Sequence, residues 1–251
     1  MKFCRVQWED KACYALLEGD HLTIVEGNPF GQWRRSILHL GVDDARFFPP
    51  SVPTKIVCIG RNYREHAAEL GNDVPREPLI FLKPPSALIG HGQDIVYPPQ
   101  SKRVDYEGEL GIVIGKPAKG LKSSTEVKNV IFGYTVVNDV TARDLQKADV
   151  QFTRAKSFDT FCPVGPFIET ELNAPHVTVE TYLNGQRRQH GSTSSMAFGI
   201  DTLVQYISNI MTLEPGDLIA TGTPSGIGPM QKGDVVEVKI DPIGILRNRV
   251  V

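Results

Sequence analysis

Cysteine is scarce in this sequence, and its few copies are widely spaced. The four cysteines among 251 residues form no C-x-x-C pair, and no cysteine or histidine pair has the spacing of a zinc site. We therefore predict reduced thiols rather than a disulfide scaffold. Cys4 and Cys13 could face each other across an N-terminal hairpin, which is only a weak hint of a bridge.

The sequence also lacks an excess of charge of either sign and a long apolar run. Lys and Arg number 27 against 29 Asp and Glu, so nothing attracts the chain electrostatically to nucleic acid or anionic lipid. No stretch approaches the roughly 20 apolar residues of a membrane span, and the start lacks the apolar core of a signal peptide. We expect a cytoplasmic protein whose partners are small molecules or copies of itself.

Nucleotide-binding glycine motifs are missing as well. Gly222, Gly226 and Gly228 lie close together. No P-loop or dinucleotide-binding spacing follows a strand and opens a helix there. Tight turns are a sufficient explanation of these glycines.

Strand patterns dominate what the sequence does contain. Residues 3–8, 12–17 and 22–25 alternate as in a β-meander, and a proline-rich stretch at 48–53 follows. We predict a small N-terminal β domain over residues 1–50 and a larger catalytic domain over residues 51–251. In the larger part we predict strands over residues 55–60, 110–114, 133–140, 217–220 and 235–240 and a hairpin at Asn184-Gly185.

Helical patterns are few. Residues 61–70 predict a short helix closed by Gly71, and apolar residues recur at helical spacing over 200–211. Because helices do not alternate with strands, the sequence predicts a mainly β (α+β) fold, a sandwich or roll rather than a doubly wound sheet.

Acidic residues occupy alternate positions immediately before the apolar run of residues 110–114. On one continuous strand, Asp105, Glu107 and Glu109 would share a face. Burial would crowd like charges, and a bound metal ion would compensate them. For an isolated E-x-E pattern, an exposed edge strand with solvated acids is the alternative.

Asp139 supports the metal hypothesis. It lies in the β-branched run 134–140, where an unpaired buried carboxylate would be costly. Glu107, Glu109 and Asp139 together form an all-oxygen ligand set that suits Mg²⁺, with Mn²⁺ or Ca²⁺ as alternatives. Three protein ligands leave coordination positions for water or substrate.

Six spaced segments, in this order, resemble the fumarylacetoacetate hydrolase family from about Lys55 to the C-terminus. They are G-R-N-Y-R-E-H-A-A-E-L, P-L-I-F-L-K-P-P-S, D-Y-E-G-E-L-G-I-V-I-G, G-Y-T-V-V-N-D-V-T-A-R-D-L-Q, R-A-K-S-F-D-T-F-C-P-V-G-P and G-D-L-I-A-T-G-T-P-S-G-I-G. The resemblance implies a mixed β-sandwich roll of the fumarylacetoacetase C-terminal type, usually dimeric, with Mg²⁺ on Glu107, Glu109 and Asp139. The N-terminal meander resembles the small extra domain of many bacterial members.

The resemblance further implies a catalytic group. His66 and Glu69 match a proton-transfer dyad on a mobile helix, and Lys156 matches a lysine that stabilises an enolate near the metal. Three residues apart on a helix, His66 and Glu69 share a face, and histidine ordinarily titrates near neutral pH. Taken alone, such a pair is more often an exposed salt bridge.

Substrate-binding positions follow from the same resemblance. Arg143 and Gln146 match residues that hold the substrate carboxylate and its surroundings, and arginine suits bidentate carboxylate binding. Thr223 matches a threonine that contacts the substrate, with an ordinary turn hydroxyl as the alternative. Arg61 and Arg64 flank the dyad and are either solvated or available to a second carboxylate.

The expected activity is Mg²⁺-dependent formation of a chelated enolate from a 2-oxo (di)carboxylic acid. We favour an isomerase or decarboxylase of the 2-hydroxyhepta-2,4-diene-1,7-dioate type, which includes 5-oxopent-3-ene-1,2,5-tricarboxylate decarboxylation. Acylpyruvate hydrolysis, oxaloacetate decarboxylation and oxaloacetate tautomerisation stay open because they use the same residues. The alternative of another class is a non-catalytic metal-binding β protein, whose His66 and Glu69 would affect no turnover.

Overall fold

The computed structural model describes residues 1–251 and contains twenty β-strands and five α-helices. The strands are β1 (Lys2–Trp8), β2 (Lys11–Glu18), β3 (His21–Gly27), β4 (Trp33–Gly41), β5 (Phe47–Phe48), β6 (Ile56–Gly60), β7 (Leu79–Lys83), β8 (Leu88–Ile89), β9 (Val104–Tyr106), β10 (Gly108–Ile114), β11 (Ile131–Asn138), β12 (Thr141–Ala142), β13 (Cys162–Pro163), β14 (Ile168–Glu169), β15 (Thr178–Leu183), β16 (Gln186–Ser192), β17 (Leu218–Ala220), β18 (Gly228–Met230), β19 (Val235–Ile240) and β20 (Gly244–Arg249). The helices are α1 (Arg64–Glu69), α2 (Ser124–Val130), α3 (Arg143–Ala148), α4 (Thr153–Lys156) and α5 (Ile200–Ile210). None of these helices combines the length and apolar composition that crossing a bilayer requires.

One large sheet organises the molecule. Its strands run in the order β4-β3-β2-β1-β14-β11-β10-β17-β6-β7, with β5 paired to β1, and only the β17–β6 pair is parallel. Three smaller sheets have the orders β12-β9-β18, β13-β8 and β16-β15-β19-β20. The predicted mainly β fold is confirmed.

The N-terminal strands continue the large sheet. β1 pairs with β14 through Lys2 opposite Glu169, so the meander and the central strands share one hydrogen-bonded ladder. The three predicted strands are confirmed, whereas β4 was not predicted because its side chains are mostly exposed and do not alternate. The boundary near residue 50 stays a prediction. Cys4 lies opposite Ala15 and not opposite Cys13.

The main core lies between the large sheet and α5. Every residue of β10 is buried, and Leu110 and Ile112 pack in one cluster with Leu203 and Ile207 of α5. These two helical residues are four apart and so lie on one face, as the periodicity of the sequence predicts. This packing fixes β10, whose first residues position the acidic cluster.

A tight hairpin approaches the start of β10. Asn184 and Gly185 have φ values of 51° and 75°, as a type I′ turn between β15 and β16 requires. A Cβ atom on Gly108 would collide with the Thr181 hydroxyl of β15, so only glycine permits this approach. The hairpin therefore lies directly against the acidic segment.

Three local expectations were wrong in detail. Residues 105–114 are not one strand, because β9 and β10 belong to different sheets and the chain passes between them at Glu107. Asp139 follows the last residue of β11 rather than lying within it. Helix α1 begins at Arg64 instead of residue 61, since Arg61 has a left-handed φ of 57° and the chain is extended at Tyr63.

Candidate active site

Three carboxylates converge where β9, β10 and β11 meet. Glu107, Glu109 and Asp139 each offer a ligand oxygen, and these atoms lie within 4.8 Å of one another. All three residues are buried, none being more than 4% exposed. The exposed edge strand with solvated acids is therefore not the arrangement of this segment.

Backbone contacts explain why Glu107 and Asp139 meet. The β10–β11 ladder ends at the Gly108–Asn138 pair, and Glu107 and Asp139 are the next residues beyond that end. Asp139 N donates to Glu107 O at 2.8 Å, and Glu107 N donates to Asn138 Oδ1 at 2.9 Å. Both acids are thus held at the end of the ladder and turn into the same pocket.

Buried basic groups surround the acids. Lys156 Nζ lies 2.9 Å from Glu107 Oε2 and 2.6 Å from Asp139 Oδ2. Arg143 donates from Nη2 to Glu107 Oε1 and from Nε to Asp105 Oδ2, the latter at 2.9 Å. The sequence grouped Asp105 with the ligands on one face, but its carboxylate pairs with Arg143 and Arg103.

Opposing influences set the charge states of the cluster. Burial alone would raise the pKa of Glu107, but the charges of Lys156 and Arg143 outweigh it and hold that pKa well below its usual range. Burial raises the pKa of Glu109 well above its usual value, and the charges of Asp139 and Glu107 raise it further. Burial lowers the pKa of Lys156, but Asp139 and Glu107 more than reverse this effect and keep the ammonium charged.

Lys83 is the buried residue that sequence reasoning missed. Its Nζ lies 2.7 Å from Asp139 Oδ1 and donates to the carbonyls of Val140 and Phe161 at 3.0 and 2.6 Å. A lysine that ends the apolar strand β7, directly before Pro84, was the available signal. Lys83 ties the strand end after Asp139 to the segment that follows α4.

His66 and Glu69 lie on α1 as the spacing predicted. His66 is buried and lines the pocket, whereas Glu69 does not line it. His66 Nδ1 is 3.4 Å from Glu69 Oε2, and Gly226 N donates to Glu69 Oε1 at 3.1 Å. The Glu69 carboxylate is therefore placed to orient the imidazole through Nδ1.

The substrate-binding residues implied by the resemblance line the same pocket. Arg143 Nη1 donates to Gln146 Oε1 at 2.5 Å, so three of the five N–H donors of Arg143 are engaged and two remain. The Thr223 hydroxyl donates to Gly108 O at 2.8 Å and accepts from Gln189 Nε2 at 2.7 Å. Its hydroxyl proton is thus committed, and the Thr223 backbone N–H, which has no partner within the chain, is the free donor there.

The pocket has a volume of about 160 Å³. Arg61 and Lys147 also line it, and neither is paired with an acidic side chain. Arg64 is exposed and does not line the pocket. Of the two arginines that flank the dyad in sequence, only Arg61 is therefore placed to meet a ligand.

The donor set fits a divalent cation. Three buried carboxylates with convergent oxygens supply the hard ligands that Mg²⁺ or Mn²⁺ prefers. Burial raises the pKa of Glu109 most, and the like charges of Asp139 and Glu107 raise it further; a bound cation would offset both effects. Glu109 Oε2 is already held by Gly222 N at 2.8 Å, so the side chain is oriented toward the cluster without an ion.

This fold and this pocket define a class: mainly β enzymes whose acidic pocket lies at a junction between sheets. The family model described as fumarylacetoacetate (FAA) hydrolase C-terminal matches residues 55–251, and a model described as Rv2993c-like, N-terminal matches residues 1–50. The chain belongs to the fumarylacetoacetate hydrolase family, whose members include isomerases, tautomerases and hydrolases.

Named relatives show the range of activities in the family. The structure of 2-hydroxyhepta-2,4-diene-1,7-dioate isomerase from Mycobacterium marinum is 41% identical, covers 100% of this chain and 98% of that one, and superposes with a TM-score of 0.93. Oxaloacetate tautomerase YisK from Bacillus subtilis is 46% identical over 80% of this chain and 71% of that protein. Fumarylpyruvate hydrolase from Pseudomonas aeruginosa, solved with Mn²⁺ and pyruvate, is 32% identical over 82% of this chain and 91% of that one, with a TM-score of 0.75.

Proposed function

We propose that this protein is a divalent-cation-dependent enzyme that forms the enolate of a 2-oxo dicarboxylic acid, with Mg²⁺ as the cation. The observation that carries the proposal is the convergence of three buried carboxylates beside a buried histidine and a buried lysine. A cation held by Glu107, Glu109 and Asp139 would supply Lewis acidity to the keto oxygen of a chelating substrate. Mn²⁺ or Ca²⁺ would suit the same oxygens.

Charge balance favours an anionic ligand. Around the cluster, four acidic side chains are matched by four basic ones, namely Asp105, Glu107, Glu109 and Asp139, and Lys83, Arg103, Arg143 and Lys156. Arg61 and Lys147 also line the pocket without an acidic partner, so a divalent cation would leave it with a surplus of positive charge. An enolate that carries one or two carboxylates would offset this surplus, and low-dielectric surroundings strengthen the attraction.

Lys156, His66 and Glu69 have different roles in forming the enolate. The Lys156 ammonium supplies fixed positive charge as negative charge develops on the substrate oxygen. His66 moves the proton, and Glu69 orients its ring. In isomerisation, His66 removes a proton from one carbon and a proton returns at another, so composition is unchanged. In decarboxylation the C–C bond breaks, CO₂ leaves, the electron pair stays as the enolate, and His66 protonates the carbon.

Isomerisation or decarboxylation of the 2-hydroxyhepta-2,4-diene-1,7-dioate type is the activity we favour. Its support is the named isomerase of Mycobacterium marinum, which matches both the N-terminal and the catalytic parts of this chain. Oxaloacetate tautomerisation is the second candidate, favoured by the identity to YisK. Acylpyruvate hydrolysis and oxaloacetate decarboxylation use the same residues. The homodimer and the cytoplasmic location stay predictions that rest on the family and the composition.

A substrate panel tests the proposal directly. With Mg²⁺ or Mn²⁺, the protein is expected to turn over the heptadienedioate, the tricarboxylate, an acylpyruvate or oxaloacetate, followed by ultraviolet absorbance. EDTA should abolish this turnover, and added Mg²⁺ should restore it, because the carboxylates alone supply no Lewis acid. A protein that binds the ion but converts none of these substrates would contradict the proposal and favour the non-catalytic alternative.

Two basic side chains that line the pocket, Arg61 and Lys147, have no acidic partner, and this favours a substrate with a second carboxylate. Arg61→Asn removes one charge at a left-handed position that asparagine tolerates. We expect KM for a dicarboxylate to rise about 10- to 100-fold, since a hydrogen bond to a charged group contributes about 1.5–3 kcal/mol. Inhibition by oxalate, which has no distal carboxylate, should be unchanged.

Arg64→Gln is the matched control for this measurement, because Arg64 is exposed and lies off the pocket. It should leave KM for the dicarboxylate and the inhibition constant of oxalate at their wild-type values. Equal weakening of the dicarboxylate and of oxalate in Arg61→Asn would show that Arg61 does not contact a distal carboxylate.

A further inference from the structure

One buried glutamine connects the acidic strand, β10 with Glu109 on it and Glu107 directly before it, to the loop Thr223–Gly226 on the other side of the pocket. Gln189, on β16, has no exposed surface. Its Oε1 accepts from Gly108 N at 2.9 Å and from Thr181 Oγ1 at 2.7 Å. Its Nε2 donates to Thr223 Oγ1 at 2.7 Å and to Pro224 O at 2.8 Å. All four hydrogen-bonding positions of the amide are thus used.

The location of these partners matters. Gly108 separates Glu107 from Glu109, so the Oε1 side of the amide is bonded to the backbone between two proposed cation ligands. Thr223 lines the pocket and donates to Gly108 O, which closes a ring of hydrogen bonds with Gln189. The ring fixes the distance between the acidic strand and the opposite wall.

The same loop also contacts the helix that bears His66. Ser225 Oγ donates to Glu65 Oε2 at 3.2 Å, and Gly226 N donates to Glu69 Oε1 at 3.1 Å. A Cβ on Gly226 would collide with Arg188 O, so the loop lies tightly on β16 next to Gln189. The contacts run from the acidic strand through Gln189 and the loop to α1.

We infer that Gln189 is a positioning residue: its amide sets the loop Thr223–Gly226, and through it helix α1, relative to the carboxylate cluster. The inference rests on the proposed function, because it concerns the alignment of His66 and Thr223 with a ligand on that cluster. Gln189 itself does not line the pocket. A displacement of about 1 Å in such groups costs roughly 100-fold in rate, so an amide far from the reacting atoms has a kinetic effect.

Two variants separate positioning from stability. Gln189→Met keeps the size of the side chain and removes all four hydrogen bonds, whereas Gln189→Glu keeps the acceptor and replaces the NH₂ donor. Asn248→Leu is the control, since Asn248 is also buried, and its amide donates to Gly90 O and Gln93 O at 2.9 and 2.8 Å, away from the pocket. All assays are run well below the melting temperature of each variant.

Steady-state kinetics are expected to distinguish a positioning role of Gln189 from a purely stabilising one. Gln189→Met should lower kcat/KM about 100-fold, with changes in both KM and kcat. Gln189→Glu should lose less, and its activity relative to wild type should recover as the pH falls, because a protonated carboxyl again donates to Thr223 or Pro224. Asn248→Leu should lose melting temperature while kcat and KM stay at wild-type values. Wild-type kinetics in Gln189→Met, activity of Gln189→Glu that does not change relative to wild type with pH, or an equal kinetic loss in Asn248→Leu would overturn the inference.

Hydrogen–deuterium exchange supplies a readout that needs no turnover. Gln189→Met should speed exchange in residues 64–70 and 222–226, whereas Asn248→Leu should speed it around residues 90–93. Unchanged exchange in α1 would overturn the inference even if the enzyme were active. If the wild-type protein converts no substrate but the two variants show these changes in exchange, the proposed function is rejected, while the connection from Gln189 to α1 stands.

Discussion

Asp139→Asn is expected to lower turnover about 1,000-fold and to weaken divalent-cation binding at least about 100-fold. Asp139 supplies one of three convergent oxygens, and a bound cation contributes several kcal/mol to stabilising transition-state charge, where each 1.4 kcal/mol corresponds to tenfold in rate. The loss has a second cause. Lys83 and Lys156 each lie within 2.7 Å of an Asp139 oxygen, so the amide leaves two buried ammonium groups undercompensated.

Isothermal titration with Mn²⁺ and steady-state kinetics check both parts of this prediction. The control is Asp217→Asn, because Asp217 is also fully buried and paired with a lysine, Lys55 at 2.5 Å, but does not line the pocket. Asp217→Asn should lose stability and keep its affinity for Mn²⁺. Wild-type Mn²⁺ affinity in Asp139→Asn would refute the assignment of the site.

The pH dependence of ion binding gives a signature of the same cluster. Burial and the neighbouring acids raise the pKa of Glu109, so the carboxyl holds its proton to higher pH than an ordinary glutamate. A cation must displace this proton, and its apparent affinity should therefore rise with pH and fall on acidification through the raised pKa. Titrations at several pH values in Glu109→Gln should lose this dependence together with most of the affinity.

Much of this architecture followed from local pattern in the sequence. The Asn184-Gly185 turn, the periodicity of α5 and the alternating strands are short-range signals that tertiary packing did not override. The break at Glu107 was different. It depends on β9 pairing with β12 and β18, which lie far away in sequence, so local alternation predicted one continuous strand.

The sequence predicted the acidic residues of the site, but not the buried side chains that contact and position them. Alternating carboxylates and an acid in an apolar run are visible in sequence, whereas Lys83 and Gln189 contact Asp139, Gly108 and Thr223, which lie far from them in sequence. Thr223 shows the same limit. Its position at the pocket was anticipated, but its hydroxyl donates to Gly108 O, and the donor without a partner is the Thr223 backbone N–H, which sequence alone does not identify.

His66→Asn is expected to lower kcat about 100- to 10,000-fold, the usual contribution of a positioned general acid or base, without changing the affinity for Mn²⁺. His66 is buried on the pocket wall, and asparagine preserves a polar side chain without a group that exchanges protons near neutral pH. Glu69→Gln should lose less, about tenfold, because the amide oxygen still accepts from Gly226 N and only the charge beside the imidazole is removed.

This pair of variants also decides between the enzyme and the non-catalytic alternative. A cation-binding protein without chemistry would show the same background rate in wild type, His66→Asn and Glu69→Gln, measured by substrate absorbance at saturating Mg²⁺. His176→Asn is the control, since His176 is exposed and lies outside the pocket. A large loss confined to His66→Asn, at unchanged Mn²⁺ affinity, would assign proton transfer to the imidazole. The cation would then account for binding and charge stabilisation alone.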